Sequence, residues 1–269
     1  MNENQNELLL TAVEEDNLEK TRTLLENGAD VNTRDDMGYT PLIQASTNSN
    51  PDMIKLLIEF QADVNAQDDF GYTALIRASN YDHSKIVRIL VENGADVNII
   101  AIDGWTALGW ASFYGRTDIV KMLIDHGADI NIKSNNGQTP LMKASQEGRT
   151  ETVLLLLNFG ADINLKNNTG ETALIKTSRW VHVNLIKKYT AISKLLIGRG
   201  ADLNIRCNEG KTALMYAAET GHIDVVKLLL SAGADITLQD KTSKTALEYA
   251  RMKGNKEILN LLSDETTPG

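Results

Sequence analysis

The stretch that decides the fold is Gly210–Ile236, which reads GKTALMYAAETGHIDVVKLLLSAGADI. A glycine turn is followed by Thr212, whose hydroxyl can cap a helix that starts at Ala213. Gly221 then breaks the chain. A second, mostly apolar segment runs to Gly233, a residue type that readily takes the left-handed conformation at a helix end. The stretch therefore predicts two short helices joined by a tight turn.

The same unit recurs along the chain at a fixed period. Its turn glycines are spaced by 33 residues, except that the last one follows after 40: Gly38, Gly71, Gly104, Gly137, Gly170 and Gly210. The helix-ending glycines keep the same step, but Gln61 stands where one of them is expected. We therefore expect Gln61 to be left-handed, a conformation that costs a non-glycine residue roughly 1 to 2 kcal/mol.

This 33-residue unit resembles the ankyrin repeat through TPLI at Thr40–Ile43, TPLM at Thr139–Met142 and the recurring GADVN or GADIN. The resemblance implies an all-α ankyrin-repeat solenoid of helix-turn-helix units with projecting β-turn loops, about eight repeats including two caps. The chain departs from the family at the usual histidine of TPLH. The residues at that position are Ile43, Ile76, Gly109, Met142, Ile175, Met215 and Glu248. Apolar packing is expected to replace a polar bracing contact at most of them.

We expect a single domain, residues 1–264, followed by a disordered tail, 264–269. Its parts are an N-cap at 6–32, repeats at 33–65, 66–98, 99–131, 132–164, 165–204 and 205–237, and a C-cap at 238–263. The repeat at 165–204 contains an insertion near 181–188, so its second helix should begin near Tyr189. The insertion either lengthens the helices and hides its own apolar side chains, or projects at the rim of a binding groove.

Composition narrows the classes of function. A net charge of −9 argues against nucleic-acid binding, which depends on cations that neutralise phosphates. No apolar run approaches the length of a membrane span, and no secretory signal is recognisable at the N-terminus, so we expect a cytoplasmic location. The single cysteine, Cys207, fits a reducing compartment, and we expect it to be an incidental thiol at a loop tip.

The residues that could carry chemistry form no recognisable site. The four histidines are isolated, and HExxH, CxxC, GxSxG and glycine-rich phosphate loops are all absent from the sequence. The aspartates of the GAD element recur with the repeat, which indicates that they brace loops. We therefore expect no catalytic residue, no metal and no cofactor. The sequence gives almost no support for an enzymatic function.

Positions that vary between repeats are informative, because the resemblance implies that turn tips and first helices line a concave groove for partners. Aromatic and apolar residues gather at such positions, which are Tyr39, Phe70, Tyr72, Tyr81, Ile102, Trp105, Trp110, Phe113 and Tyr114. Tyrosine and tryptophan are common at binding hot spots, so these residues predict a partner surface centred on residues 66–131. The alternative is that some of them, above all Trp110 and Tyr216, pack between repeats.

Basic residues follow in the later repeats, where Lys143, Lys176 and Arg179, with Trp180, complete the candidate binding set. Between Lys176 and Lys211 the chain has eight basic and two acidic residues. We therefore expect a monomeric, non-enzymatic module that binds a protein with an apolar and an acidic segment, and neither nucleic acid nor a membrane. The alternative is an effector or adaptor of an intracellular bacterium or parasite that acts on a host protein.

Overall fold

The computed structural model describes residues 2–179 and 183–264, in two compact units: unit 1 up to Asp129 and unit 2 from Ile130 onward. The described residues form sixteen α-helices and no strand. Those of unit 1 are α1 (Asn2–Glu14), α2 (Leu18–Glu26), α3 (Pro41–Ala45), α4 (Pro51–Glu59), α5 (Ala74–Asn80), α6 (Ser84–Glu92), α7 (Ala107–Tyr114) and α8 (Thr117–Asp125). Those of unit 2 are α9 (Pro140–Gln146), α10 (Thr150–Asn158), α11 (Ala173–Arg179), α12 (Ile186–Gly198), α13 (Ala213–Thr220), α14 (Ile223–Ser231), α15 (Ala246–Lys253) and α16 (Lys256–Asp264). The all-α class is confirmed.

From α3 onward, the first helix of each pair begins at a threonine cap. The threonine hydroxyl accepts the backbone N–H of the third helical residue, at 3.3 Å for Met215 and Thr212. The threonines with this role are Thr40, Thr73, Thr106, Thr139, Thr172, Thr212 and Thr245. The cap predicted at Thr212 is therefore confirmed, and it satisfies a donor that would otherwise lack a partner at the helix start.

Left-handed residues end the second helices, as the repeat of glycines predicts. Gly233 has φ +86°, and Gln61 has φ +66° at the position where the other repeats have glycine. The left-handed conformation of Gln61 is confirmed. Ser243 replaces a turn glycine and is left-handed too, with φ +62°. The backbone of both residues is in the left-handed region, which favours glycine.

The helices of each unit form two layers. In unit 1 the first helices α1, α3, α5 and α7 pack side by side, and α2, α4, α6 and α8 form the second layer. In unit 2 the same holds for α9, α11, α13 and α15 and for their partners. The apolar packing expected at the TPLH histidine is confirmed, since Ile43, Ile76, Met142, Ile175 and Met215 are all buried. Each such side chain contributes about 1.5 to 3 kcal/mol.

Polar side chains hold successive loops together within each unit. The Asn32 side-chain oxygen accepts the backbone N–H of Asp63 at 2.8 Å, and Asn204 binds Asp235 in the same way at 2.9 Å. The Asp30 carboxylate accepts the N–H of Asn32. The loop-bracing role predicted for the GAD aspartates is confirmed at this position. The bracing by the asparagines had not been predicted.

The insertion partly lengthens a helix. Helix α12 begins at Ile186, about one turn before the expected start near Tyr189, so that expectation is wrong. Residues 186–188, which make up the extra turn, are exposed, whereas Tyr189 after them is buried and its hydroxyl donates to the Gln146 carbonyl oxygen at 3.0 Å. Residues 180–182 lie outside the described residues. So does the expected tail from residue 265 onward, while Asp264 belongs to α16.

Candidate functional site

Five aromatic side chains of unit 1 pack around one another, and we call them the aromatic cluster. Trp110 on α7 is at its centre. The centroid of its ring lies 6.5 Å from Tyr72, 6.3 Å from Trp105, 5.8 Å from Phe113 and 6.0 Å from Tyr114. All five side chains are half-buried. Trp110 therefore supports the other rings, so both interpretations of this residue hold in part: it packs, and it does so within the candidate surface.

Trp105 is placed by the small residue one helical turn after it. A Cβ atom built on Gly109 would lie only 2.2 Å from Cε3 of Trp105, so the indole ring occupies the space that any side chain at residue 109 would need. The Asp103 carboxylate also accepts the Trp105 backbone N–H at 3.0 Å. Sequence reasoning named both Trp105 and Gly109 without connecting them. Their spacing of four residues across a helix start was the available signal.

Tyr39 and Tyr72 are held by a cation that sequence reasoning missed. The Arg77 guanidinium lies 5.0 Å from the Tyr39 ring centroid and 4.3 Å from that of Tyr72. Arg77 also pairs with the buried Asp68 carboxylate at 2.7 Å. Burial raises the pKa of Tyr72, and its hydrogen bond to Asp103, at 2.5 Å, acts in the same direction. Tyr72 is therefore neutral and fixed in orientation.

The turn tips of unit 1 expose apolar side chains. The exposed fraction is 54% for Met37, 52% for Phe70 and 69% for Ile102, and Ile100 is exposed as well. Tyr81, which follows the last residue of α5, is also exposed. Water-exposed side chains of this size in neighbouring turns form the kind of patch that marks interaction sites. The candidate residues Phe70, Tyr81 and Ile102 are therefore accessible to a partner.

The basic residues of the candidate set differ in accessibility. Lys176 is 5% exposed, and its ammonium pairs with the buried Glu171 carboxylate at 2.9 Å. It does not offer its charge to a partner, so its assignment to the binding surface is corrected. Arg179 pairs with the same carboxylate but is exposed, and Lys143 is half-buried. Trp180 lies outside the described residues.

The Glu171 carboxyl and the Lys143 ammonium both have shifted pKa values. Burial alone would raise the pKa of Glu171, but hydrogen bonds and attraction from Lys176 and Arg179 outweigh it and lower that pKa. Burial lowers the pKa of Lys143, and the nearby Lys176 ammonium adds to that effect. The Lys176 ammonium and the Glu171 carboxylate are both buried, so the pair belongs to the protein interior.

Tyr216 and Cys207 lie in the interior of unit 2. Tyr216 is buried, so the packing alternative is the correct one for this residue. The expected place of Cys207 at a loop tip is wrong, because Cys207 lies at the base of its turn and is buried, with the Tyr216 hydroxyl 3.6 Å from its sulfur. Lys211 lies over the rings of both Tyr216 and Tyr249. These aromatic rings of unit 2 are thus covered by the chain itself.

The fold and this surface define a helical-repeat protein with an aromatic face. The family model for ankyrin repeats (3 copies) matches residues 1–68, 44–134, 98–167, 129–188 and 185–268. The chain therefore belongs to the ankyrin-repeat family. Ankyrin repeats are generally protein–protein interaction modules, and proteins built from them are typically non-enzymatic. No curated protein matches the chain significantly. None of the described helices is long and apolar enough to cross a membrane.

Proposed function

We propose that this chain is a non-enzymatic module that binds a protein partner, with the aromatic cluster as the apolar part of its binding surface. The observation that carries the proposal is the set of five half-buried rings around Trp110, at positions that differ from one repeat to the next. Scaffold packing does not require such rings, since the matching positions of unit 2 mostly lack them. Large aromatic side chains supply much of the binding energy in protein interfaces.

The proposal includes an acidic segment of the partner that contacts unit 2. Arg179 and Lys143 are the cations retained for this role, and unit 2 has a net charge of +4, with 18 basic and 14 acidic residues. Opposite charge across an interface chiefly favours encounter and correct orientation. A monomeric state, a concave binding face and a cytoplasmic location complete the proposal. The last is supported by the presence of one cysteine, Cys207, in the whole chain.

Affinity capture with the full chain, followed by mass spectrometry, would identify the partner. Calorimetric titration of that partner should then show that Trp105→Ala, Phe113→Ala and Tyr114→Ala each weaken binding by about 2 kcal/mol or more, while the melting temperature changes little. Phe159→Ala is the matched control, because Phe159 is an exposed ring of unit 2 outside the cluster. We expect it to bind as the unchanged chain does.

Two results would count against the proposal. Losses of stability as large as the losses of affinity would show that the rings belong to the core. A captured partner that binds all three variants at full affinity would place the binding surface elsewhere.

A further inference from the structure

The turn edge of unit 1 differs in chemistry from the rest of the surface. We use this name for residues 34–39, 67–72 and 100–105, the turns before α3, α5 and α7. These turns are joined through their backbones, since the Asp69 N–H donates to the Met37 carbonyl at 3.1 Å and the Ile102 N–H to the Phe70 carbonyl at 2.9 Å. Their tips therefore form one continuous edge.

Each tip of this edge pairs an apolar side chain with a carboxylate. The pairs are Asp36 with Met37, Asp69 with Phe70, and Ile102 with Asp103. The edge contains five acidic residues and one basic residue, Arg34. The Arg34 guanidinium donates to the carbonyls of Gly38 and Gln67, at 3.2 and 2.8 Å, and so is directed at the turns themselves.

Only some of the carboxylates of the turn edge have a hydrogen-bond or ion-pair partner among the described residues. Asp103 accepts from the Tyr72 hydroxyl, and Asp68 pairs with Arg77. The carboxylates of Asp36 and Asp69 have no such partner within residues 2–179 and 183–264, and both residues are exposed. Unit 1 as a whole has 22 acidic and 9 basic residues, a net charge of −13. Two carboxylates beside exposed apolar side chains thus lie in a strongly negative field.

The turns of unit 2 show that the fold does not require apolar and acidic side chains at the turn tips. Its turns are joined by the same backbone bonds, for example from Asn168 N–H to the Asn136 carbonyl at 3.1 Å and from Asn208 N–H to the Thr169 carbonyl at 2.9 Å. The tips there are polar, and the asparagine side chains extend the bonding, as Asn168 does to the Asn135 carbonyl at 2.8 Å. The same backbone is thus built with tips that carry neither the apolar side chains nor the excess of acids.

We infer that the turn edge of unit 1 binds a polypeptide segment of the partner that combines apolar and basic side chains. This inference rests on the proposed function, because it names the chemistry of one segment of the protein partner. Charge complementarity selects the occupant: lysine or arginine would pair with Asp36 and Asp69, while apolar side chains cover Phe70 and Ile102. An acidic segment is repelled by this edge.

The test uses two synthetic peptides with leucine at every second position and either lysine or glutamate between. We expect the lysine peptide to bind the full chain in a fluorescence anisotropy titration and the glutamate peptide not to bind. Phe70→Ser with Ile102→Ser, and separately Asp36→Asn with Asp69→Asn, should each weaken binding of the lysine peptide about tenfold. The second pair should also flatten the dependence on salt. Asn136→Ser with Thr169→Ser changes the matching tips of unit 2 and should leave binding unaltered.

Three outcomes would overturn the inference. They are equal binding of the two peptides, binding of the lysine peptide that neither pair of edge changes weakens, and a dimer in analytical ultracentrifugation that Phe70→Ser with Ile102→Ser dissociates. The last would mean that a second copy covers the edge. If Phe113→Ala releases the captured partner but the edge variants bind the peptide normally, the proposed function stands and this inference alone fails. If neither set of changes has any effect, both fail.

Discussion

The two units share a backbone and differ in charge and in the use of aromatic rings. Unit 1 has a net charge of −13 and unit 2 of +4, yet both have threonine caps, asparagine braces and bonded turns. In unit 1 the rings of the aromatic cluster pack on one another and remain partly exposed. In unit 2 Tyr216 and Tyr249 are buried beneath Lys211. A few repeated positions therefore determine the backbone, and the others are free to differ between the units.

The largest difference in stability between corresponding variants of the two units is expected at their buried carboxylates, Glu171 and Asp68. In unit 2, Glu171→Gln would leave the buried Lys176 ammonium without a counter-charge, so we expect the free energy of unfolding to fall by about 3 kcal/mol. In unit 1, Asp68→Asn should cost about 1 to 2 kcal/mol. The amide oxygen can still accept the N–H groups of the turn, as Asn167 does at the same place in unit 2. Denaturant titration of both variants measures the difference.

Two further variants make this comparison decisive. Glu171→Gln combined with Lys176→Met should regain part of the lost stability, because the unpaired buried charge is then gone. Glu151→Gln, at an exposed position on α10, should change stability little. Equal losses for Glu171→Gln and Asp68→Asn would show that the ion pair of unit 2 is no more critical than that of unit 1.

Sequence reasoning predicted the repeated features well, because each has a local physical signal. The threonine caps from α3 onward and the left-handed Gln61 follow from capping and from glycine spacing, which involve only neighbouring residues. It failed for Lys176, because the burial of that lysine depends on Glu171 and on packing within unit 2. It also assigned the aromatic rings to a surface without predicting which rings contact one another. The contact of Trp110 with Tyr72 and that of Arg77 with Tyr39 join neighbouring repeats, so no local pattern predicts them.

The next largest change in stability is expected at Gly109, which packs against Trp105 in unit 1. Gly109→Ala should lower the free energy of unfolding by about 1 to 2 kcal/mol, because the new methyl group would collide with the indole ring. In a Trp105→Ala background the same change should instead raise stability by up to about 1 kcal/mol, since alanine favours helix more than glycine does. Thermal unfolding of the four proteins in this cycle gives the coupling energy. The same sign in both backgrounds would contradict the placement of the Trp105 ring.

The smallest expected effect is on the pH dependence of stability, and it concerns the histidines, which differ between the two units. In unit 1, His83 and His126 have ring nitrogens 3.1 and 2.8 Å from backbone carbonyls. In unit 2, His222 is buried, and neither ring nitrogen has a hydrogen-bond partner among the residues that the structure describes. Its ring stacks on Tyr189 with centroids 6.3 Å apart. Asp224, Lys227 and Glu257 line the cavity beside it, and the last two pair with each other at 2.8 Å.

Burial lowers the pKa of His222 below its ordinary value of 6.5. As the pH falls through that value, the unfolded chain takes up a proton that the folded chain does not, so the folded state loses stability. His222→Leu removes both the unpaired nitrogens and this linkage. We therefore expect its melting temperature to fall less than that of the unchanged chain between about pH 7 and 5, and the pH dependences of the two to run parallel above that range. Parallel pH dependences over the whole range would mean that His222 takes up its proton as readily in the folded chain as in the unfolded one.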